Sequence, residues 1–350
     1  MCCFISLLDQ NNHLKFNHPF KKDGNSVKES NFIKNLNVKN ILFAAACLMG
    51  SWSFAQSIEI VPLGVYGGSD ESNLSSYLVG IEHQNQYLAM DAGTINRGIQ
   101  SAILQKTFTT DGTDVLRNYI KGYFISHGHL DHLSGMIINS PEDSKKPIYG
   151  TAEMIEVLKN NYFTNASWAN FGSEGESPIL NKYQYVIKQN LEQFELLETG
   201  LKGQLFELSH VNPWKSSALK VSTATQSLMY FGDTGADRIE KTNHLRNIWK
   251  TIAPEIKSGK LKTLMLEVSF PNHQPEHLLF GHLTPRLMME EMHHLSKYTG
   301  KEALKSLNII VTHIKPKDQY EEIIKKELQE ANDLELNFIY PKQGKRIVIQ

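Results

Sequence analysis

The sequence predicts one α/β domain over residues 56–350, preceded by an N-terminal segment of different character. Short runs of β-branched and aromatic residues, typical of buried strands, alternate with segments whose apolar residues have helical spacing. No internal repeat is visible, so a single domain is favoured over an array. Four side chains that bind metals well, those of His127, His129, Asp131 and His132, lie within six residues.

This histidine-rich segment lies where a predicted strand meets a predicted helix. Ile120 to Ile125 form a strand-like run, and a helical pattern of apolar residues begins at Leu133. His127 and His129 are two residues apart, so in an extended backbone both imidazoles point to the same side. Two neutral imidazoles suit one borderline-soft divalent ion, and the following imidazole and carboxylate suit a second. The alternative is a solvated, histidine-rich loop.

Composition narrows the range of partners. Residues 56–350 contain 30 Lys and Arg against 34 Asp and Glu, and no basic stripe is visible. This balance argues against a nucleic-acid polymer as partner. A small anionic substrate is compatible with it, because bound metals can supply local positive charge.

The N-terminal segment has the pattern of an export signal. Residues 1–40 are polar and without periodicity, and we interpret them as an unstructured or non-native extension. Residues 41–55 are predicted to form a signal peptide: lysines precede an apolar run, and Ser53-Phe54-Ala55 ends it with small residues. The run is too short to span a membrane. These features predict a periplasmic or secreted protein without a stable membrane anchor. A buried helix or strand, and a lipid anchor at Cys47, are the alternatives.

All three cysteines, Cys2, Cys3 and Cys47, precede the predicted cleavage point. The mature chain would therefore contain no disulfide and no thiolate ligand. Any metal would have to be held by histidines and carboxylates.

Further candidate residues close later predicted strands. His210, Asp233 and His313 each follow an apolar run, Glu267 lies within one, and His282 precedes a helix. Any one of them alone is more typical of a turn or a helix cap. Together with the central segment, and in this order, they suggest one polar site at the strand ends.

Asp91 and the loop from residue 160 to 178 each leave an alternative open. Asp91 ends a predicted strand, where it either supports the site or caps a turn. Gly67-Gly68 lacks the spacing of a dinucleotide-binding loop. The loop from residue 160 to 178 is rich in aromatic side chains, which either form a wall for a nucleotide base or plug the core. These side chains are Tyr162, Phe163, Trp168 and Phe171.

The fifteen residues from His127 to Pro141 resemble the signature of the class II 3′,5′-cyclic-nucleotide phosphodiesterases. The pattern HxHLDH is followed by aliphatic and small residues and by Ser140-Pro141. More broadly, HxHxDH resembles the metallo-β-lactamase superfamily. The resemblance implies a metallo-β-lactamase-like αββα sandwich, in which two sheets pack together between outer helices.

The resemblance also implies two metal sites joined by one carboxylate. Zinc is favoured by the ligand set, although Mn²⁺ and Fe²⁺ also fit it. The implied ligands are His127, His129 and His210 for the first ion, Asp131, His132 and His313 for the second, and Asp233 as the bridge.

The implied reaction is attack on phosphorus by a hydroxide that bridges two metals roughly 3.5–4 Å apart. Gly281-His282-Leu-Thr resembles the His-Ser-Thr loop of the tRNA 3′-processing endonucleases of this superfamily. By that resemblance His282 is the general acid, held by Glu267, and these two join Asp131 in the expected catalytic set.

The sequence therefore predicts hydrolysis of 3′,5′-cyclic nucleotides, cAMP above all, to 5′-monophosphates. The alternatives are an RNA or tRNA-processing phosphodiesterase of the same fold, a β-lactamase or lactonase, and a non-catalytic metal-bound nucleotide-binding protein. The expected partner is a small cyclic nucleotide, and self-association into a homodimer stays open.

Overall fold

Two mixed β-sheets of seven strands each face one another in the computed structural model, which describes residues 56–305 and 307–349. The first sheet consists of β1 (Ile58–Gly64), β2 (Ser76–Ile81), β3 (Tyr87–Met90), β4 (Ile120–Phe124), β5 (Lys146–Gly150), β6 (Tyr183–Ile187) and β14 (Ile347–Ile349). The second consists of β7 (Gln193–Glu195), β8 (Lys202–Ser209), β9 (Lys215–Ser222), β10 (Ser227–Phe231), β11 (Leu261–Glu267), β12 (Asn308–Thr312) and β13 (Asn337–Ile339).

Both sheets have the same arrangement of strand pairs. The first has the order β14-β1-β2-β3-β4-β5-β6 and the second the order β13-β12-β11-β10-β9-β8-β7. In each sheet three antiparallel pairs adjoin three parallel pairs. Because parallel strands end at a common edge, the segments that follow β4, β10, β11 and β12 are brought to the ends of the sheets.

Helices flank the sheets and supply the outer layers. They are α1 (Asn96–Leu104), α2 (Gly112–Asp114), α3 (Leu130–Asn139), α4 (Ala152–Val157), α5 (Asp237–Glu240), α6 (His244–Lys257), α7 (Pro285–Thr299) and α8 (Tyr320–Ala331). Short π-type turns follow at Val115–Tyr119 and Leu158–Tyr162, and 3-10 turns at Glu276–Leu278 and Glu302–Leu304.

Three clusters of buried side chains form the core. One lies between the sheets and joins residues of both, such as Val79, Leu88, Leu219 and Met265. The second packs α1, α3 and α4 against the first sheet, and the third packs α6, α7 and α8 against the second. Trp249 of the third cluster is fully buried. Two sheets between two helical layers confirm the predicted αββα sandwich.

Local sequence explains where the two helices next to the polar site begin. Helix α3 starts directly after His129, and Asp131 in its first turn is favoured by the positive end of the helix dipole. Helix α7 starts at Pro285, whose fixed φ suits the first helical position, and the Thr284 hydroxyl accepts a hydrogen bond from the Leu287 amide. Both starts hold neighbouring polar residues in fixed positions.

Two predictions concern residues that the structure does not describe. The N-terminal extension (residues 1–40) and the signal peptide (residues 41–55) both lie outside the described residues. Within residues 56–305 and 307–349, no helix has the length and apolar character needed to cross a membrane.

Candidate metal centre

All seven predicted metal ligands meet at one end of the sheets. The central segment follows β4 of the first sheet, whereas His210, Asp233 and His313 follow β8, β10 and β12 of the second. Six of the seven side chains are buried or half-buried, and His129 is the exposed member. His129 is therefore the candidate ligand most accessible to solvent.

The first ligand group contains His127, His129, His210 and Asp233. One donor atom from each lies within 4.8 Å of the others. Nε2 of His127 is 3.7 Å and Nε2 of His210 is 3.9 Å from Oδ2 of Asp233, and Nδ1 of His129 is 3.3 Å from Nε2 of His210. Three imidazoles and one carboxylate suit a tetrahedral divalent ion such as zinc.

The second group contains Asp131, His132 and His313, again with donor atoms within 4.8 Å of one another. Nε2 of His313 is 3.3 Å from Oδ2 of Asp131, and also 3.3 Å from Oδ1 of Asp233. Oδ2 of Asp233 is 3.2 Å from Nε2 of His132. Asp233 thus reaches both groups, as a bridging carboxylate would.

The nitrogen atoms of the cluster lack good hydrogen-bond partners within it but could coordinate a bound cation. Nε2 of His127 is buried and has no hydrogen-bond partner among the described residues, although a buried polar atom is normally satisfied. Nε2 of His132 and Nε2 of His313 face each other at 3.0 Å, where one proton at most can lie between them. Divalent ions would satisfy all three nitrogens, so these residues fit the group that the resemblance implies.

Protonation in the cluster is dominated by burial. Burial lowers the pKa of His127, His210 and His313, and it lowers the pKa of His129 to about 4. These four imidazoles are therefore neutral, which is the form that binds metals. His132 differs: burial lowers its pKa, but the charges of Asp233 and Asp91 outweigh burial and raise the pKa above the ordinary value. A metal would supply the positive charge that these carboxylates favour here.

Asp91 supports the centre and does not merely cap a turn. Its carboxylate accepts hydrogen bonds from Nδ1 of His132 at 2.7 Å, from the amide and hydroxyl of Ser126 at 2.7 Å each, and from the Tyr230 hydroxyl at 2.6 Å. The bond to Nδ1 leaves Nε2 of His132 facing the cluster. Carboxylates that hold a ligand histidine in this way fix the ring and its tautomer.

Glu267 and His282 form a buried pair beside the ligand groups. Nδ1 of His282 donates to Oε1 of Glu267 at 2.9 Å, as the sequence predicted. Glu267 also accepts hydrogen bonds from the Thr234 amide and the Ser269 hydroxyl, so its position is fixed. His282 stacks on His313 with ring centroids 5.1 Å apart. With Nδ1 bound to Glu267, Nε2 is the nitrogen available for substrate.

His282 also admits a second role. Donor atoms of Asp233, His282 and His313 lie within 4.8 Å of one another, so these three could hold a metal themselves. Nδ1 of His282 is 3.8 Å from Oδ2 of Asp233, farther than its 2.9 Å contact with Glu267. The geometry therefore favours pairing with Glu267.

Sequence reasoning missed Lys315, and it did not place Gly67-Gly68 beside the ligand groups. Nζ of Lys315 is 3.9 Å from Oδ2 of Asp131, and the Gly68 amide donates to the same oxygen at 2.8 Å. A Cβ on Gly67 would lie 2.2 Å from the His313 ring, so only glycine fits there. The weak signals were a lysine two residues after a ligand and two consecutive glycines.

The aromatic side chains of the loop from residue 160 to 178 mostly pack into the core, which was the alternative prediction. Phe163 and Phe171 are buried in the cluster under the first sheet, so the base-wall prediction is wrong for both. The Trp168 indole donates to the Ser140 hydroxyl at 3.0 Å, on the same side of the fold. The Tyr162 hydroxyl donates to the Gly128 carbonyl at 2.9 Å, beside the ligands.

Comparison with solved structures defines the class of fold. Unliganded yeast PDE1 superposes with a TM-score of 0.75 and 20% identity, over 84% of this chain and 100% of that one. The metallo-β-lactamase fold protein YhfI from Bacillus subtilis superposes with a TM-score of 0.57 and 16% identity, over 84% and 99% of the two chains. The protein thus has the metallo-β-lactamase fold.

Comparison of sequences identifies the family within this fold. The profile of the family described as cAMP phosphodiesterases class-II matches residues 54–344. A 3′,5′-cyclic-nucleotide phosphodiesterase of Aliivibrio fischeri is 39% identical over 87% of this chain and 96% of its own length. A probable 3′,5′-cyclic-nucleotide phosphodiesterase of Yersinia pestis is 38% identical over 91% and 97%. The chain belongs to the class-II cAMP phosphodiesterase family, as the His127 signature predicted.

Proposed function

We propose that the protein hydrolyses 3′,5′-cyclic nucleotides, with cAMP as preferred substrate, and releases 5′-nucleoside monophosphates. The observation that carries this proposal is the pair of ligand groups joined by Asp233 beside the buried Glu267–His282 pair. Membership of the family supports the substrate class, and the family's name, cAMP phosphodiesterases class-II, supports cAMP as the preferred substrate.

Two divalent ions, with zinc preferred, are proposed for the two ligand groups. When bound, such ions supply Lewis acidity, which lowers the pKa of water and neutralises charge on phosphoryl oxygens. Asp233 lies next to both ligand groups and is buried away from solvent. The protein's part is to hold these ligands neutral or anionic and fixed in place.

The leaving group needs a proton, and His282 is proposed to supply it. Hydrolysis breaks the bond between phosphorus and O3′ of the ribose, and a sugar alkoxide leaves poorly unless it is protonated. The proton on Nε2 of His282 passes to O3′, and a proton from the attacking water replaces it. Glu267 stabilises the charged imidazolium before the transfer. General-acid catalysis of this kind contributes roughly 10²–10⁴-fold in rate.

Lys315 is proposed to bind a phosphoryl oxygen of the substrate. Burial raises the pKa of Asp131, but the charge of His132 and the hydrogen bond from His313 outweigh burial and hold this pKa below its ordinary value. Asp131 is therefore an anion, which attracts the Lys315 ammonium towards the centre. An ammonium has three donors, so contact with Asp131 leaves donors free for a phosphate.

A substrate panel tests the proposal. Purified protein loaded with zinc is offered cAMP, cGMP, 2′,3′-cyclic AMP and a linear RNA diester, and the products are separated by chromatography. We expect 5′-AMP and 5′-GMP from the 3′,5′-cyclic substrates, with the higher kcat/KM for cAMP. Preferential cleavage of the linear RNA would favour the nuclease alternative instead.

Export to the periplasm or medium is a separate proposal. It is supported by the sequence alone: Lys34 and Lys39 precede the apolar run that begins at residue 41, and Ser53-Phe54-Ala55 ends that run.

A further inference from the structure

Two apolar residues at the rim of the centre are exposed and have an unfavourable backbone conformation. Val211 follows the ligand His210, is 40% exposed and has φ +57°. Phe280 comes two residues before His282, is 60% exposed and has φ +51°. Bulky and β-branched residues rarely adopt positive φ, and strained residues of this kind concentrate at functional sites.

The two strained segments touch and are tied to a ligand. The Gly281 carbonyl accepts a hydrogen bond from Nδ1 of His210 at 2.9 Å. A Cβ on Gly281 would lie 2.5 Å from the Val211 amide nitrogen and 3.0 Å from its Cγ2 atom, so the chains pack closely here. The backbone that carries Phe280 is therefore fixed relative to the metal centre.

Folding does not account for the exposed ring. Leu279 and Leu283, on either side of it, are buried in the core cluster under the second sheet and anchor the segment. Phe280 belongs to none of the core clusters of the described residues. Glycine and asparagine tolerate positive φ better than phenylalanine, so the backbone conformation here does not favour an aromatic residue.

We propose that Phe280, with Val211 beside it, forms the subsite that holds the nucleobase of the cyclic nucleotide. This inference rests on the proposed function. Two virtual bonds of 3.8 Å place the Cα atom of Phe280 within about 7.6 Å of that of His282. The base is joined to the reacting phosphate through a single ribose, so a ring at this distance can stack on it.

The chemistry of stacking defines what the subsite accepts. Every base has a π-face, so an aromatic platform holds adenine and guanine alike. Phe280 has no hydrogen-bonding group that could read the edge of a base. The subsite therefore raises affinity for purine nucleotides in general, and discrimination between the two purines must come from elsewhere.

The test compares a substrate that has a base with one that lacks it. Metal-loaded wild-type protein and the variants F280A and F280Y are assayed with cAMP and with the methyl ribofuranoside 3′,5′-cyclic phosphate. For F280A we expect KM for cAMP to rise about tenfold or more, with kcat nearly unchanged. The base-free substrate should show no change, and F280Y, which keeps the ring, should behave like wild type.

Leu191→Ala is the matched control. Leu191 is 51% exposed with φ +66°, like Phe280, but its amide donates to the Leu205 carbonyl, five residues before His210. At about 3.3 Å per residue that contact lies roughly 16 Å along the strand from the centre. L191A should leave both substrates unaffected. Calorimetry with 5′-AMP should show weakened binding in F280A only.

Two results would overturn the inference: a KM for cAMP within twofold of wild type in F280A, or an equal loss on the base-free substrate. If F280A does not fold, F280L replaces it, because leucine keeps the apolar contact but has no π-face. Turnover of cAMP by wild type together with an unaffected F280A would reject only the subsite. Failure of wild type to hydrolyse either cyclic phosphate would reject the proposed function as well.

Discussion

His282→Ala should separate proton donation from metal binding. The imidazole is buried, its Nδ1 donates to Glu267 at 2.9 Å, and its Nε2 is the nitrogen available for substrate. Loss of a general acid should slow cAMP hydrolysis roughly 10²–10⁴-fold. That corresponds to about 2.7–5.4 kcal/mol of transition-state stabilisation. A nitrophenolate leaves without help, so an aryl phosphodiester should lose much less, about fivefold at most by the same reasoning.

Glu267→Gln should show the same selectivity in weaker form. Glutamine can still accept the hydrogen bond from Nδ1 but cannot stabilise the imidazolium charge. A hydrogen bond to a charged group contributes about 1.5–3 kcal/mol. We therefore expect a loss of roughly tenfold to a hundredfold on cAMP, and little loss on the aryl substrate.

The assay measures kcat for both substrates and metal content by elemental analysis. His293→Ala is the matched control, since His293 is a half-buried histidine of α7 whose Nε2 lies 3.1 Å from Oδ1 of Asp333. Equal losses on both substrates in His282→Ala would refute the general-acid role. A loss of metal in that variant would instead indicate the ligand role that Asp233, His282 and His313 geometrically allow.

Three further predictions concern the bridge, the lysine and the N-terminus. Asp233→Ala should abolish turnover and lower metal content, because both ligand groups lose their shared carboxylate; two ions per chain in this variant would contradict the bridge. Lys315→Met should lower kcat/KM for cAMP about tenfold or more, the cost of one charge-assisted hydrogen bond, with unchanged metal content; an unchanged kcat/KM would argue against phosphate binding. Mass spectrometry of native protein should find a mature N-terminus near Gln56, and intact residues 41–55 on a cytoplasmic form would exclude export.

The candidate ligand set could be predicted from the sequence because most of its members lie close together in the chain. Four ligands lie within six residues, and the strand that precedes them forces their direction. His210, Asp233 and His313 each follow an apolar strand, but the resemblance was needed to assign them as ligands, because a single His or Asp at a strand end is more typical of a turn. The pairing of Glu267 with His282 was implied by the resemblance, and the two residues lie only 15 positions apart, at the end of β11 and just before α7.

Features that depend on packing between distant segments could not be predicted from the sequence. The sequence left open whether Phe163 and Phe171 form a wall for a base or plug the core, because the direction of a ring depends on the sheet beneath it. The Gly68 amide meets Asp131 across 63 positions, and no local pattern links the two residues. Phe280 is unusual only in its φ angle and exposure, which are properties of the folded chain.

The repeated arrangement of the sheets was hidden for the same reason. Both sheets place three antiparallel pairs beside three parallel pairs, yet the sequence has no visible repeat. Strand pairing depends on alternation of apolar residues, which many different sequences satisfy. Architecture can therefore repeat where residue identities do not.

Metal removal and return tests the central claim most directly. The protein is stripped with a chelator, and cAMP hydrolysis is measured while zinc is added back in known amounts. We expect no turnover without metal, and recovery that levels off at two zinc ions per chain, one for each ligand group. Full hydrolysis of cAMP by the metal-free protein, or no recovery at any zinc concentration, would contradict the account.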